Sequence, residues 1–250
     1  MIPKIIHYCW FGKEELSDLA KKCILSWKKY MPDCEIKEWN EDNFDVNMIQ
    51  YTKEAYKHRK YAFVSDFARF YILKQHGGIY LDVDVEIIKP FDDLLEHKTI
   101  LGFESVGRVG PGLILASEPD TLFLNDMIEL YKGLSFIDEK GNMNLTTIVT
   151  YTTEYLKTKG LREENVKQEV CGVTIFPTEY FCPINMNTNE LIITDNTYSI
   201  HHFASSWISN WGKFRKIIRK IIGGRIYYRL FLLKKKIKSY LLTDRLREKV

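Results

Sequence analysis

Two aspartates one residue apart, Asp82 and Asp84, close the run Gly77-Gly78-Ile79-Tyr80-Leu81. Paired carboxylates after a short apolar run supply the hard oxygen ligands that hold Mg²⁺ or Mn²⁺, and such a cation neutralises diphosphate charge. In an extended segment the two side chains point to the same side and can face one ligand. Glu86 continues the alternation and reads equally well as a surface acid. A bare Asp-x-Asp also fits solvated acids at a strand end, so its neighbours must decide.

Upstream, residues 62–76 form an apolar helix pattern carrying Phe63, Val64, Phe67, Ala68, Phe70, Tyr71, Ile72 and Leu73. Such a helix is buried on nearly all sides. Asp66 and Arg69 are set into it three residues apart, on one face. Charges there are costly unless paired or bound to something. An internal ion pair satisfies that spacing. So does a pair aimed at the carboxyl ends of the strands, where the carboxylate accepts from sugar or ribose hydroxyls and the guanidinium meets phosphate or a hydroxyl.

Late in the chain stands His201-His202-Phe203-Ala204-Ser205-Ser206-Trp207. An imidazole and a hydroxyl from it could complete a metal shell begun by Asp84, and the indole N–H could donate to a phosphate oxygen. The same residues also fit a strand leading into a capped turn, with Trp207 as core filler. Trp10, in the first loop, offers a platform on which a nucleobase stacks, or simply a buried ring.

The elements that must position these residues follow from periodicity. Residues 5–8 read as a strand and 16–30 as a helix ending before Pro32; 35–39 alternate as a second strand, and 40–47 are loop and short helix. The 62–76 helix stops at Gly77-Gly78, where glycine suits a left-handed ending. Strands are predicted at 79–81, 86–89, 99–103, 113–116, 173–176, 191–194 and 198–201, and helices at 120–132 and 145–159. Alternation of strand and helix in the first half predicts an α/β fold with a mostly parallel sheet covered on both faces.

The 250 residues suffice for one α/β domain with an appendage. A hydrophobic fraction of 45% and a charged fraction of 28% are those of a globular protein, and no run reaches the ~18–20 apolar residues of a membrane span. The N-terminus reads as the first strand, not a signal peptide. Cys9, Cys23, Cys34, Cys171 and Cys182 lack metal-type spacing and read as reduced thiols of a cytoplasmic protein. The net charge of +3 conceals an asymmetry: residues 204–250 carry 14 Lys and Arg against two acids, leaving the first 203 residues at −9. Residues 213–250 are therefore expected to be a separate basic amphipathic helical tail on a 1–212 domain. A tail mixing 11 bases over 213–238 with Phe214, Ile217, Ile218, Ile221 and Ile222 suits an anionic membrane surface, which would place the protein on the cytoplasmic face. Helix packing within the protein would use the same pattern. Nucleic acid is not expected as a partner, because aliphatics outnumber stacking aromatics.

Ile2-Pro3-Lys4-Ile5-Ile6-His7 with Trp10-Phe11-Gly12, then Ser65-Asp66-Phe67-Ala68-Arg69 and Gly77-Gly78-Ile79-Tyr80-Leu81-Asp82-Val83-Asp84, together resemble the glycosyltransferase sugar-binding region containing a DXD motif. This is glycosyltransferase family 32, of capsular polysaccharide and initiating mannosyltransferases, remotely similar to the catalytic domains of clostridial glucosylating toxins. The resemblance covers about residues 1–210. It implies a GT-A fold, a single Rossmann-like nucleotide-sugar-binding domain with a mixed sheet, plus Mn²⁺ or Mg²⁺ and retention of anomeric configuration. It implies a nucleotide-sugar donor, UDP-linked by preference, and a glycan or lipid-linked glycan acceptor in polysaccharide synthesis.

Carried over, Trp10 stacks on the base, and Asp66 and Arg69 hold the donor's sugar. Tyr80 and Asp82 line the sugar and ribose pocket. Asp84 binds the metal, with His202 and Ser205 at metal-shell positions and Trp207 on the diphosphate. Asp82, Asp84 and Trp207 are thus the catalytic set, and Gly110-Pro111-Gly112 brings backbone, at Gly112 above all, close to the donor. In the toxins the position of His202 is an acid. The Gly-Pro pair many members carry ahead of a later helix is absent around 144–147, on the acceptor side. Two other readings compete. A haloacid-dehalogenase-type phosphatase also uses a strand followed by Asp-x-Asp, but near its N-terminus and with a later acidic pair than Asp92-Asp93. A non-catalytic glycan- or nucleotide-binding module would not need the full set of acids and tryptophans.

Overall fold

The computed structural model describes residues 1–185, 188 and 190–204. Met1–Pro183 together with 193–204 form one compact unit. Of a second unit the described part is the short stretch Ile184–Ile192, where Ile184 and Leu191 form an isolated antiparallel bridge. Ser205, Trp207 and the whole basic tail lie outside the described residues.

The first strand, β1 (Ile5–Cys9), buries Ile6 and Tyr8 on one face and His7 and Cys9 on the other. Helix α1 (Asp18–Tyr30) starts at Ser17, whose hydroxyl accepts from the Ala20 N–H at 3.1 Å, a standard N-cap. Strand β2 (Glu35–Trp39) has the expected bounds. Helix α2 (Gln50–Lys57) was not among the expected elements; its polar sequence hides a narrow buried stripe of Tyr51, Thr52 and Ala55. Helix α3 (Tyr61–His76) is buried on nearly every side, as its composition predicts. It ends at Gly77 with φ +62°, and a Cβ there would lie 2.9 Å from both Pro3 and Pro119.

Next come β3 (Gly78–Tyr80), β4 (Val85–Ile87), β5 (Thr99–Ser105), a two-residue β6 (Arg108–Val109) and β7 (Leu115–Ser117). Helices α4 (Leu122–Lys132) and α5 (Ile148–Thr158) follow, then β8 (Gln168–Val170), β9 (Val173–Phe176), α6 (Thr178–Phe181) and β10 (Ser199–His201). β6 and β8 are too short to leave a periodic signal. The strand expected at 191–194 does not form; Leu191 contributes only the isolated bridge.

The main sheet runs in the order β2-β1-β3-β7-β5-β9-β8, with β6 on β5. β2, β1 and β3 pair in parallel, β3–β7 and β7–β5 are antiparallel, β5–β9 is parallel and β9–β8 antiparallel. The sheet is therefore mixed, yet β1, β2, β3, β5 and β9 all run in one direction. Their carboxyl ends share one edge, the edge where open α/β sheets bind ligands. One sheet face packs under α2, α3, α4 and α5, and the other under α1 and α6. β4 and β10 form a separate antiparallel pair.

Candidate functional site

Asp82 and Asp84 do not lie on an extended strand. β3 ends at Tyr80, and residues 82–85 form a turn closed by the Val85 N–H donating to the Asp82 carbonyl at 3.0 Å. The turn still gathers both carboxylates, at the carboxyl edge of the sheet. The turn is held from three sides. The Asp82 N–H donates to the Gly112 carbonyl at 3.2 Å, the Trp27 indole N–H of α1 donates to the Val85 carbonyl at 2.7 Å, and β10 pairs with β4.

The pairing of β10 selects one imidazole for this turn. His201 stands opposite Val85, and its Nε2 lies 3.0 Å from Asp84 Oδ1. Asp84 Oδ2 accepts the Ala204 N–H at 2.7 Å. Burial alone would raise the Asp84 carboxyl, but the bond and charge of His201 and the Ala204 N–H outweigh it and hold the group below its ordinary value. His201 answers in the opposite sense: burial lowers it, and Asp84 and Asp82 more than restore the charged form. The other ring nitrogen, Nδ1, is buried and without a partner. Ligand atoms of Asp82, Asp84 and His201 all lie within 4.8 Å of one another.

The family resemblance implies a metal-shell position for His202, whereas the residue the structure brings together with Asp82 and Asp84 is His201. The structure puts the His202 Nε2 2.8 Å from Glu86 Oε2, an oxygen that Lys22 also approaches at 3.0 Å. Adjacent residues of a strand point to opposite faces, so only the register of β10 on β4 tells the two histidines apart, and sequence alone does not contain it.

Asp82 differs from Asp84. Burial raises its carboxyl, Arg69 opposes this and Asp84 adds to it. Arg69 Nη1 lies 3.2 Å from Asp82 Oδ1, an ion pair without hydrogen-bond geometry. Its Nη2 donates to Asp66 Oδ1 at 3.2 Å and its Nε to the Ser65 carbonyl at 3.1 Å. Asp66 and Arg69 are therefore at once an internal ion pair and a bridge to the Asp82 turn. Burial pushes Asp66 upward, and the Arg69 charge opposes it. Tyr80 is fully buried, with the guanidinium 4.4 Å above its ring. It supports Arg69 from beneath instead of presenting open surface. Gly112 has a steric reason to lack a side chain: a Cβ would come within 2.1 Å of Asp82 Oδ2. Trp10 follows β1 at the same carboxyl edge, half-buried, its indole N–H donating to the Glu14 carbonyl at 2.6 Å. Two carboxylates and an imidazole are a donor set that fits a divalent cation.

Comparison with known proteins finds similarity over part of the chain. Residues 17–101 match the family model described as glycosyltransferase sugar-binding region containing DXD motif. Glucan organizing enzyme 1 of Cryptococcus neoformans var. grubii is 37% identical over 83 residues, 30% of this chain and 23% of that protein. An uncharacterized glycosyltransferase, L373, of Acanthamoeba polyphaga mimivirus is 38% identical over 101 residues, 38% of this chain and 40% of that one. The chain thus spans less than half the length of either relative. Among solved structures, a glycosyltransferase involved in glycosylation of the major capsid of PBCV-1 aligns with TM-score 0.49 at 11% identity, over 81% of this chain and 95% of that one.

Proposed function

We propose that the protein is a metal-dependent glycosyltransferase that moves a hexosyl unit from a nucleoside diphosphate sugar, UDP-linked by preference, to a hydroxyl of a glycan or lipid-linked glycan. The observation that carries this reading is the convergence of Asp82, Asp84 and His201 at the carboxyl edge of the sheet, with Arg69 tying Asp82 to Asp66. Asp82, Asp84 and His201 would hold Mn²⁺ or Mg²⁺, which when bound supplies neutralisation of the diphosphate's charge.

The protein's own residues do the rest. The low-lying Asp84 stays ionised, while Arg69 presents fixed positive charge beside Asp82 in a largely buried setting. Such preorganised charge is worth more there than in water, because it needs no reorganisation as the leaving group departs. Asp66 and Arg69 are assigned to the hydroxyls of the transferred sugar, Asp82 to sugar and ribose, and Trp10 to the base. Trp207, outside the described residues, is assigned to donate its indole N–H to the diphosphate. Retention follows from the family resemblance: attack from the face the diphosphate leaves, with a leaving-group oxygen taking the acceptor's proton and no protein base.

The test is calorimetry of UDP- and GDP-hexoses with and without Mn²⁺, followed by donor hydrolysis. Wild type should bind at least one donor in a Mn²⁺-dependent manner, and Asp84→Ala should lose both that dependence and turnover. Full activity in Asp84→Ala would remove the assignment. Release of phosphate from simple phosphoesters would favour phosphatase chemistry instead.

A further inference from the structure

We propose that Glu104 is a substrate-binding carboxylate of the acceptor side, taking hydrogen bonds from hydroxyls of the sugar that receives the transferred unit. This rests on the transferase reading above and names a residue for the half of the site that the motif residues leave open.

Four observations point the same way. Glu104 lies near the carboxyl end of β5, which runs in the same direction as β1 and β3, so it shares the edge that carries Trp10 and Asp82. It is also the extra residue of a β-bulge: Phe103 faces Val109 and Ser105 faces Arg108, leaving Glu104 unpaired between them. Bulges re-aim a side chain and recur beside active sites. Its carbonyl is accordingly engaged off the ladder, accepting from the Cys182 thiol at 3.4 Å.

The Gly110-Pro111-Gly112 turn packs against the stem of Glu104. A Cβ on Gly112 would strike Asp82, whereas one on Gly110 would lie 3.2 Å from the Glu104 Cβ. One tight turn therefore has Asp82 against one end and Glu104 against the other, and its shape depends on both glycines. Glu104 thus stands against the end of this turn away from Asp82. Finally, the side chain is only 17% exposed, and its ion-pair partner among the described residues is Arg108 Nε at 3.4 Å, on a side chain 49% exposed. A mostly enclosed carboxylate with so loose a partner retains lone pairs for sugar hydroxyls, for which an ionised carboxylate is an acceptor only.

The experiment uses the full chain, the nucleotide sugar that wild type hydrolyses fastest, and a panel of methyl hexosides as acceptors. Hydrolysis to water and transfer to the glycoside are measured together in wild type, Glu104→Gln and Glu104→Ala. The ratio of transfer to hydrolysis should fall about tenfold or more in both variants, through a raised acceptor KM, as expected for loss of charge-assisted hydrogen bonds. Glu104→Gln keeps the shape of the bulge, and an unchanged melting temperature separates the effect from misfolding. An unchanged ratio overturns the proposal, as does wild type that hydrolyses donor yet transfers to no glycoside. Wild type that neither binds nor hydrolyses any UDP- or GDP-hexose overturns the transferase reading itself, and this proposal with it.

Discussion

His7 shows how closely a single residue can be specified by its partners. It is fully buried in β1; the Trp39 indole N–H donates to its Nδ1 at 3.1 Å, which leaves Nε2 to donate to the Gly77 carbonyl at 3.0 Å. Those bonds fit the neutral imidazole and leave no place for a second proton. Burial is the main cause that brings its pKa down to about 4, with His76 and Lys37 acting in the same direction. In the unfolded chain the ring titrates near its ordinary 6.5, so below that pH the unfolded state binds more protons than the native one. The contribution of His7 to stability is complete above pH 6.5 and falls as pH drops toward 4, by up to about 3 kcal/mol. Asp66, raised by burial, acts with the opposite sign, so the useful quantity is a difference between proteins. Denaturant midpoints of wild type and His7→Gln, compared near neutrality and at about pH 5, should converge on acidification. Parallel lines would show that His7 does not titrate across this range.

At the scale of elements, the Asp82–Asp84 turn is made by what surrounds it. Trp27 donates from α1 into the Val85 carbonyl in a fully buried setting. Trp27→Phe keeps most of the packing but leaves that carbonyl without its donor, at a cost of about 1–3 kcal/mol. Mn²⁺-dependent nucleotide binding should weaken together with the denaturant midpoint. Weakened stability with unaltered binding would show that the turn does not rely on α1. The same element explains what was legible beforehand. β2 and β9 have the expected bounds because each is a short apolar or alternating run closed by turn residues, and α3 announces itself by composition. Asp66, Arg69, Asp82 and Asp84 stand out as candidates because charge in apolar surroundings is conspicuous in a sequence. The place of His201 beside Asp84 is not legible in the sequence because it depends on which residue of β10 meets Val85, nor is that of Glu104, because a bulge follows from pairing, not composition. Gly112 was expected near the donor, whereas its immediate reason is room for Asp82. Helix α2 was missed because a narrow buried stripe on a polar helix gives little periodic contrast.

Across the whole molecule, charge is divided by position: −9 over residues 1–203 and +12 over residues 204–250. An acidic body carrying a carboxylate-rich site gains nothing electrostatically from approaching an anionic surface. The basic segment, outside the described residues, therefore carries any such attraction by itself. Each Lys or Arg near an anionic membrane contributes about 1 kcal/mol at most, within a Debye length of about 8–10 Å, and interleaved aliphatics add burial in the interface. No described helix is long and apolar enough to cross a membrane; in the basic segment, 11 Lys and Arg interleaved with aliphatics over residues 213–238 suit attachment at the interface. Truncation after Gly212 should reduce co-sedimentation with phosphatidylserine-containing vesicles about tenfold or more, and binding by the full chain should weaken as salt rises. Neutral vesicles should bind both proteins poorly. If the truncated protein binds anionic vesicles as well as the full chain, the basic segment is a packing element. An acceptor dissolved in water would then fit the proposed transferase better than one anchored in lipid.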